Sequence, residues 1–301
     1  MTSAPPGSAA VPDRTHLAAD GDVRAPGKFS GHLSLRAVAA PGGRTVLAAQ
    51  SFRAPFHLSK PYWDSDTATL LVQIVNPTAG ILAGDRLESD IDVEAGAALL
   101  VTTPSASRVF RMNAGSARAR HHYAVAAGGW LEVMPEPLVP HRGSRYRQET
   151  CLDIAPGGAA LYVDPWMPGR LAHGEAWAWD RLVLESTVRY GGELALRERL
   201  DTSGPELLAL AKLAGAGAEA CFANIVIVTP EAAALAEPAW RPAIDALHAG
   251  GTWVGVSRLR LGGWSVRLIA PGSIRLRAAL REVRRILAAY FPRLACDPRK
   301  L

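Results

Sequence analysis

The chain has 301 residues, 49% of them hydrophobic, and its 33 basic and 28 acidic residues give a net charge of +5. This composition excludes a wholly disordered chain, and no apolar run approaches the roughly 18 residues that a membrane-spanning helix needs. Widely spaced Cys151, Cys221 and Cys296 argue against a disulfide framework or a zinc site. Because the first residues also lack the charge and apolar pattern of a secretory signal, we expect a cytoplasmic protein.

Residues 1–27 are rich in Ala, Pro, Gly, Ser and Asp and contain few large apolar side chains. Such a segment buries too little surface to offset the entropy lost on ordering. The composition therefore predicts a disordered N-terminal arm over residues 1–27, followed by one domain over residues 28–301.

Residues 28–201 are predicted to form β-strands separated by Gly- and Pro-containing turns. In Leu87 to Glu94, and again in Arg145 to Ile154, apolar and polar side chains alternate. A period of two places successive side chains on opposite faces of a sheet, which indicates half-buried strands. Many short strands of this kind are typical of a sandwich, a barrel or a stacked β-solenoid.

Residues 202–301 have a different pattern and are predicted to form α/β elements that close on the β region. They contain Ala- and Leu-rich segments with helical spacing, so we expect two to four helices near the C-terminus. In the last helix, which Ser273 can cap, the apolar residues form one stripe. This stripe either packs on the sheet or docks a helical partner, and it contains Leu276, Leu280, Val283, Leu287 and Tyr290.

Candidate chemical groups are few. The adjacent His121 and His122 lie on a predicted strand, so they should point to opposite faces and cannot easily bind one metal. No motif assembles a nucleophile with its base. The polar residues that stand out lie beside turns, and each could be a simple turn or surface residue or an oxygen ligand for a divalent ion. These residues are Asp85, Thr102, Thr103, Ser105, Glu132, Glu136, Asp164 and Glu175.

Four segments combine turn residues with charged or hydroxyl side chains. They are Pro77-Thr78-Ala79-Gly80-Ile81-Leu82-Ala83-Gly84-Asp85, Thr102-Thr103-Pro104-Ser105-Ala106-Ser107-Arg108-Val109-Phe110-Arg111, Leu131-Glu132-Val133-Met134-Pro135-Glu136-Pro137 and Gly169-Arg170-Leu171-Ala172-His173-Gly174-Glu175. Together they resemble the motifs of the UreD (UreH) family of urease accessory proteins, and the order and spacing match from about residue 31 to residue 291.

The resemblance implies a non-catalytic scaffold with a β-helix-like stack of strands and a few C-terminal helices. Such a protein would bridge apo-urease to the accessory protein UreF and, through it, to the GTPase UreG. It would bind no cofactor tightly and would pass nickel to urease through a polar tunnel. By resemblance, the candidates for the tunnel lining are Asp85, Thr102, Thr103, Glu132 and Glu175.

Other residues of these motifs are expected to serve structure or an interface. Arg108, Arg111 and Arg170 offer planar guanidinium groups for buried or interface pairs, and Gly169 belongs to the same motif as Arg170. Leu280, Val283, Leu287 and Tyr290 are the corresponding candidates on the last helix.

Two other functions remain open at this point. A small-molecule hydrolase on a β scaffold would need an acid–base pair that the motifs do not supply. A nucleic-acid-binding module would use the basic C-terminal helix and would bind in a salt-sensitive way.

Overall fold

The computed structural model describes residues 30–213, 215–229 and 237–298. The predicted N-terminal arm, residues 1–27, lies outside these ranges. Eighteen strands and three α-helices follow one another along the described chain. None of these helices is both long and apolar enough to cross a membrane.

The strands precede most of the helices, as the sequence predicted. The first nine are β1 Ser30–Ala39, β2 Thr45–Arg53, β3 His57–Leu58, β4 Tyr62–Asp64, β5 Thr69–Val75, β6 Arg86–Val93, β7 Ala98–Thr102, β8 Ser107–Val109 and β9 Ala117–Val125. Six more follow as β10 Trp130–Met134, β11 Leu138–Pro140, β12 Arg145–Ile154, β13 Ala159–Trp166, β14 Arg181–Tyr190 and β15 Glu193–Thr202. The closing segment contains α1 Gly204–Leu213, β16 Ala220–Val228, α2 Glu237–Asp245, β17 Trp253–Arg258, β18 Gly263–Pro271 and α3 Ser273–Ala288.

The strands form two sheets. The front sheet has the order β15-β14-β12-β9-β6-β1-β2, and the back sheet has the order β17-β18-β16-β13-β10-β7-β5-β3 with β4, β8 and β11 attached at its side. Between β6 and β14 the chain alternates between the two sheets, and the strands β6, β9, β12 and β14 are parallel and in register. The strands β7, β10 and β13 stack in parallel in the back sheet. This coiling confirms the stacked β-solenoid among the predicted alternatives.

The turns that connect the coils stack on one another. Gly128 N donates to Gly157 O at 2.8 Å, and Ala159 N donates to Gly129 O at 3.0 Å. A Cβ at Gly158 would lie 2.7 Å from Ala126 O, and one at Gly129 would lie 3.1 Å from Glu94 O. Glycine at these positions therefore allows neighbouring coils to approach closely.

Apolar side chains fill three regions. One cluster lies between the sheets around Leu35, Ile91 and Leu152, and a second lies nearer the other end of the strands around Val109, Trp179 and Leu182. The third lies on the outer face of the back sheet, where α2 and α3 cover it. The stripe of α3 packs into this third cluster, with Leu280, Val283 and Leu287 buried and Tyr290 partly buried.

Candidate functional site: a polar cavity between the sheets

A cavity of about 170 Å³ lies between the two sheets, where the two interior apolar clusters meet. Its lining includes inward-facing polar side chains from both sheets. Polar groups in a protein interior are costly unless they are hydrogen-bonded, so a polar layer here calls for an explanation. Its main members are Ser89, His121, Tyr123, Gln148, Tyr162 and Asp164.

The polar layer follows from strand register. Ser89 of β6 pairs with His121 of β9, which pairs with Thr150 of β12. Parallel strands in register place equivalent positions side by side, so three polar residues form one rung across the front sheet. Ser89 Oγ lies 2.7 Å from His121 Nδ1, and Thr150 Oγ1 lies 3.2 Å from the hydroxyl of Tyr162 on the back sheet.

A second set of bonds crosses the interior. The Tyr146 hydroxyl donates to Gln148 Oε1 at 3.3 Å, and Gln148 Nε2 donates to Asp164 Oδ1 at 3.3 Å. Gln148 lies in the front sheet and Asp164 in the back sheet. The Gln148 amide therefore links the front sheet to the back sheet through the interior of the solenoid.

Polar residues continue from Asp164 to the protein surface. Asp164 is the register neighbour of Asn224 in β16, and Asn224 Nδ2 donates to Glu198 Oε2 at 3.4 Å. Glu198 also pairs with Arg267, whose side chain is 61% exposed. The cavity is also lined by Asn76 and by the turn residues 78–80 and 103–108. Polar side chains thus lie between Asp164 and the exposed Arg267.

Burial changes the proton affinities of the cavity residues. Burial lowers the pKa of His121 to about 4, which keeps its imidazole neutral at physiological pH. Burial, with a smaller contribution from Glu198, raises the pKa of Asp164 to about 6, although the Gln148 bond opposes this rise. Burial also raises the pKa of Tyr123 and of Tyr162. At neutral pH the imidazole of His121 and the hydroxyls of Tyr123 and Tyr162 are therefore neutral, while Asp164 is mostly a carboxylate.

The pair formed by Ser89 and His121 has the separation of a nucleophile and its base. An imidazole whose pKa is about 4 is a weak base at neutral pH, so it activates a hydroxyl poorly. The arrangement is better suited to binding a cation or water through lone pairs than to acyl transfer.

Thr102 and Thr103 lie at the cavity, as do Ser105 and Glu136. Thr102 Oγ1 donates to Met134 O at 2.8 Å, while Glu136 N donates to Thr103 Oγ1 at 2.8 Å. These two hydroxyls tie the end of β7 to the turn after β10. They therefore shape the cavity mouth as well as line it.

Asp85 lies outside the cavity lining, in the turn before β6. Its Oδ2 accepts a hydrogen bond from Leu82 N at 2.8 Å, and its side chain is buried. Earlier in the same turn, Gly80 has φ of +152°, and a Cβ there would lie 2.5 Å from Arg108 O. The motif around Asp85 therefore forms a tight turn packed against the 103–111 segment.

Glu132 faces away from the cavity, toward α3. Its carboxylate makes two bonds with Arg284, from Nε to Oε1 at 2.6 Å and from Nη2 to Oε2 at 3.0 Å. The Glu132 side chain is fully buried, and that of Arg284 is 12% exposed. This ion pair joins β10 to the helix that covers the back sheet.

The fourth motif forms a loop after β13. Arg170 and Glu175 make a two-point ion pair at 2.8 and 2.9 Å, and this pair lowers the pKa of Glu175. Gly169 has φ of +126°, and a Cβ there would lie 2.6 Å from Glu175 O and 3.0 Å from Pro140 O. Neither Glu175 nor Arg170 lines the cavity.

The remaining two arginines are exposed. Arg108 lies at the cavity mouth, and Arg111 lies over Gly143. Of the five residues predicted for the tunnel lining, the structure therefore brings two, Thr102 and Thr103, to the cavity.

Sequence reasoning missed Ser89, His121, Gln148 and Tyr162 as members of the lining. The signal for Gln148 was present, since it shares a strand face with the apolar Tyr146 and Leu152. A polar residue that interrupts the apolar face of a strand is a useful indicator of a buried polar site.

Comparison with known proteins identifies close sequence relatives. The sequence model of a family described as UreD urease accessory protein matches residues 30–300. A protein of Opitutus terrae named urease accessory protein UreD is 62% identical over 273 residues, which cover 91% of this chain and 99% of that protein.

More distant relatives carry the same name. A Yersinia enterocolitica protein is 36% identical over 215 residues, which cover 67% of this chain and 65% of its own length. A Yersinia pseudotuberculosis protein is 36% identical over 210 residues, with coverage of 67% and 64%. The family-model match, over residues 30–300, includes the described strands and the cavity between them.

Proposed function

The chain belongs to the UreD family of urease accessory proteins, and from this premise we propose that it holds apo-urease next to its nickel-delivery partners and passes the ion through the polar layer between its sheets. A role in urease maturation follows from the family itself. The bridging of urease to UreF and UreG, and the internal route for nickel, are the parts we propose. Nickel is cargo here, and the protein acts without catalysis.

The observation that carries the proposal is the polar cavity. A solenoid of this kind is stabilised by apolar stacking, and nothing in its architecture requires Ser89, His121, Gln148 and Asp164 to be polar. Buried polar groups reduce stability unless they are fully bonded, so their presence together around one cavity supports a functional role.

The chemistry of the lining suits a transient ion. Imidazole nitrogen and carboxylate or hydroxyl oxygen all bind first-row divalent cations. Among the described residues that line this cavity there is neither a thiolate cage nor a set of three convergent imidazoles. Weak, spaced ligands hold an ion briefly and release it, which a conduit needs and a storage site does not.

The charge along the layer favours a cation. Asp164, with a pKa of about 6, is largely ionised at neutral pH, and Glu198 lies close enough to raise that pKa further. A divalent ion entering the layer would lower the pKa of Asp164, because an opposite charge stabilises the carboxylate. Asp164 is thus our candidate for the main ion contact inside the protein.

Co-purification tests the scaffold role. The tagged chain is expressed with the urease subunits, UreF and UreG, and also without them. We expect urease and both accessory proteins to be captured together with the chain. Recovery of the folded chain alone from the complete set would contradict the bridging role.

Asp164→Asn tests the route, because it keeps the shape of the side chain and removes its charge. We expect slower urease activation at limiting nickel, with the complex still captured in full. The matched control is Asp180→Asn, which removes an exposed carboxylate paired with Arg145. Equal activation by the two variants would refute a role for Asp164 in the route.

A further inference from the structure

The outer face of the front sheet carries a cluster of potential metal ligands on the opposite side of β9 from the cavity. Asp90, His122 and Cys151 form one register row across β6, β9 and β12. The next outward row contains Asp92, Ala124 and Asp153. Because in-register strands hold such rows rigidly, these side chains share one small area of the surface.

Three different donor atoms converge in this cluster. His122 Nε2 lies 2.9 Å from Asp153 Oδ2, and Cys151 Sγ lies 3.7 Å from the same oxygen. One donor atom from each residue lies within 4.8 Å of the other two. Metal–ligand bonds of about 2.0–2.3 Å require donors at separations of this order, so small side-chain rotations would close them on one ion.

The surroundings also suit an ion. Ala124 lies between Asp92 and Asp153 in its row and fills little space, so the cluster borders an open groove. The other imidazole nitrogen, His122 Nδ1, faces Asp90 Oδ1 at 3.7 Å. A carboxylate behind a ligating imidazole is the usual arrangement that orients the ring toward a metal.

We infer that His122, Cys151 and Asp153 form a surface site for a first-row divalent cation of the nickel–zinc class. Imidazole and thiolate favour such borderline ions over Mg²⁺ or Ca²⁺. With three protein ligands the fourth position remains open to a water molecule. On binding, the thiol proton passes to solvent. The site does not depend on the route through the cavity.

Arg189 is the natural competitor of the ion. Its Nη1 lies 3.2 Å from Cys151 Sγ and 3.4 Å from Asp153 Oδ1, and its side chain is 44% exposed. A guanidinium group at this position places a positive charge where the metal would bind. The long side chain must therefore swing into solvent when the ion enters, and its charge weakens ion binding.

The test measures metal binding by the untagged chain in reducing buffer. Equilibrium dialysis against Ni²⁺ or Zn²⁺ gives the stoichiometry and affinity, and the near-ultraviolet thiolate-to-nickel absorption reports on Cys151. We expect one tightly bound ion, with affinity at least about tenfold lower in His122→Gln, Cys151→Ala and Asp153→Asn. Cys221→Ala, at a buried cysteine outside the cluster, should leave the affinity unchanged.

Arg189→Ala distinguishes a metal site from an ordinary surface ion-pair network. If the cluster binds an ion, removal of the competing charge should tighten binding, on the order of fivefold. Weaker binding in Arg189→Ala would overturn the inference. So would equal affinity of the wild type and Cys151→Ala, or loss of the absorption band only in Cys221→Ala.

Discussion

The ion pair between Glu132 and Arg284 gives a sharp prediction about stability. Glu132→Ala removes the carboxylate and leaves a guanidinium group that is only 12% exposed. Loss of one member of a buried ion pair costs about 3–5 kcal/mol, because the remaining charge is uncompensated. Urea denaturation should therefore show a lower midpoint with an unchanged slope.

An ion pair on the same helix supplies the control. Arg285 and Glu282 also make a two-point contact, at 2.6 and 2.8 Å, but their side chains are 71% and 39% exposed. Glu282→Ala should cost about 0.2–1 kcal/mol, since solvent screens an exposed pair. A Glu132→Ala variant as stable as Glu282→Ala would refute the reasoning. In the double variant Glu132→Leu, Arg284→Met, an apolar pair should recover most of the loss.

Three further predictions concern other parts of the fold. Burial raises the pKa of Asp164 from 3.8 to about 6, so protonation of this carboxyl stabilises the native state, and that stabilisation is lost as pH rises through about 6. Urea titrations should therefore show Asp164→Asn more stable than the wild type at pH 8, by up to about 3 kcal/mol. Below pH 4 the two proteins should be equally stable. Gly169→Ala should lower the free energy of unfolding by about 1–3 kcal/mol, because the added Cβ meets two carbonyl oxygens. Gly174→Ala, at φ of +65° with open space around it, should lower it by less. Equal denaturation midpoints for the two variants would contradict this. Leu287→Ala should lower the free energy of unfolding by about 2–5 kcal/mol, because Leu287 lies in the buried cluster under α3. Leu210 is 59% exposed, so Leu210→Ala should lower it by less than about 0.5 kcal/mol. A smaller loss at Leu287 would show that this packing does not hold α3.

The general architecture was predictable because strand alternation and turn residues are local signals. Leu87 to Glu94 alternates in the sequence and forms β6 over Arg86–Val93 with every second side chain buried. The choice among sandwich, barrel and solenoid was not predictable from alternation, since all three use half-buried strands. It depends on which strands pair, and the resemblance to a known family supplied that choice.

The site was predicted less well than the fold. Motif residues such as Glu132 and Glu175 stand out in the sequence, but their partners Arg284 and Arg170 show them in ion pairs away from the cavity. One strand position decides whether a carboxylate faces the interior or the covering helix. Gln148 was overlooked because its significance comes from Asp164, which lies sixteen residues away and in the other sheet.

Direct counting of nickel in urease tests the central proposal. Ala119 is 3% exposed and lines the cavity, so Ala119→Phe would place a ring in the polar layer. The control variant, Ala48→Phe, adds the same ring at an exposed position of β2. Urease is matured with each variant and purified, and its nickel is measured by mass spectrometry at equal yield of the captured complex. The account predicts that Ala119→Phe reduces the nickel content to the level obtained without this chain, and that Ala48→Phe gives the wild-type content. Full nickel loading with Ala119→Phe would contradict a route through the cavity.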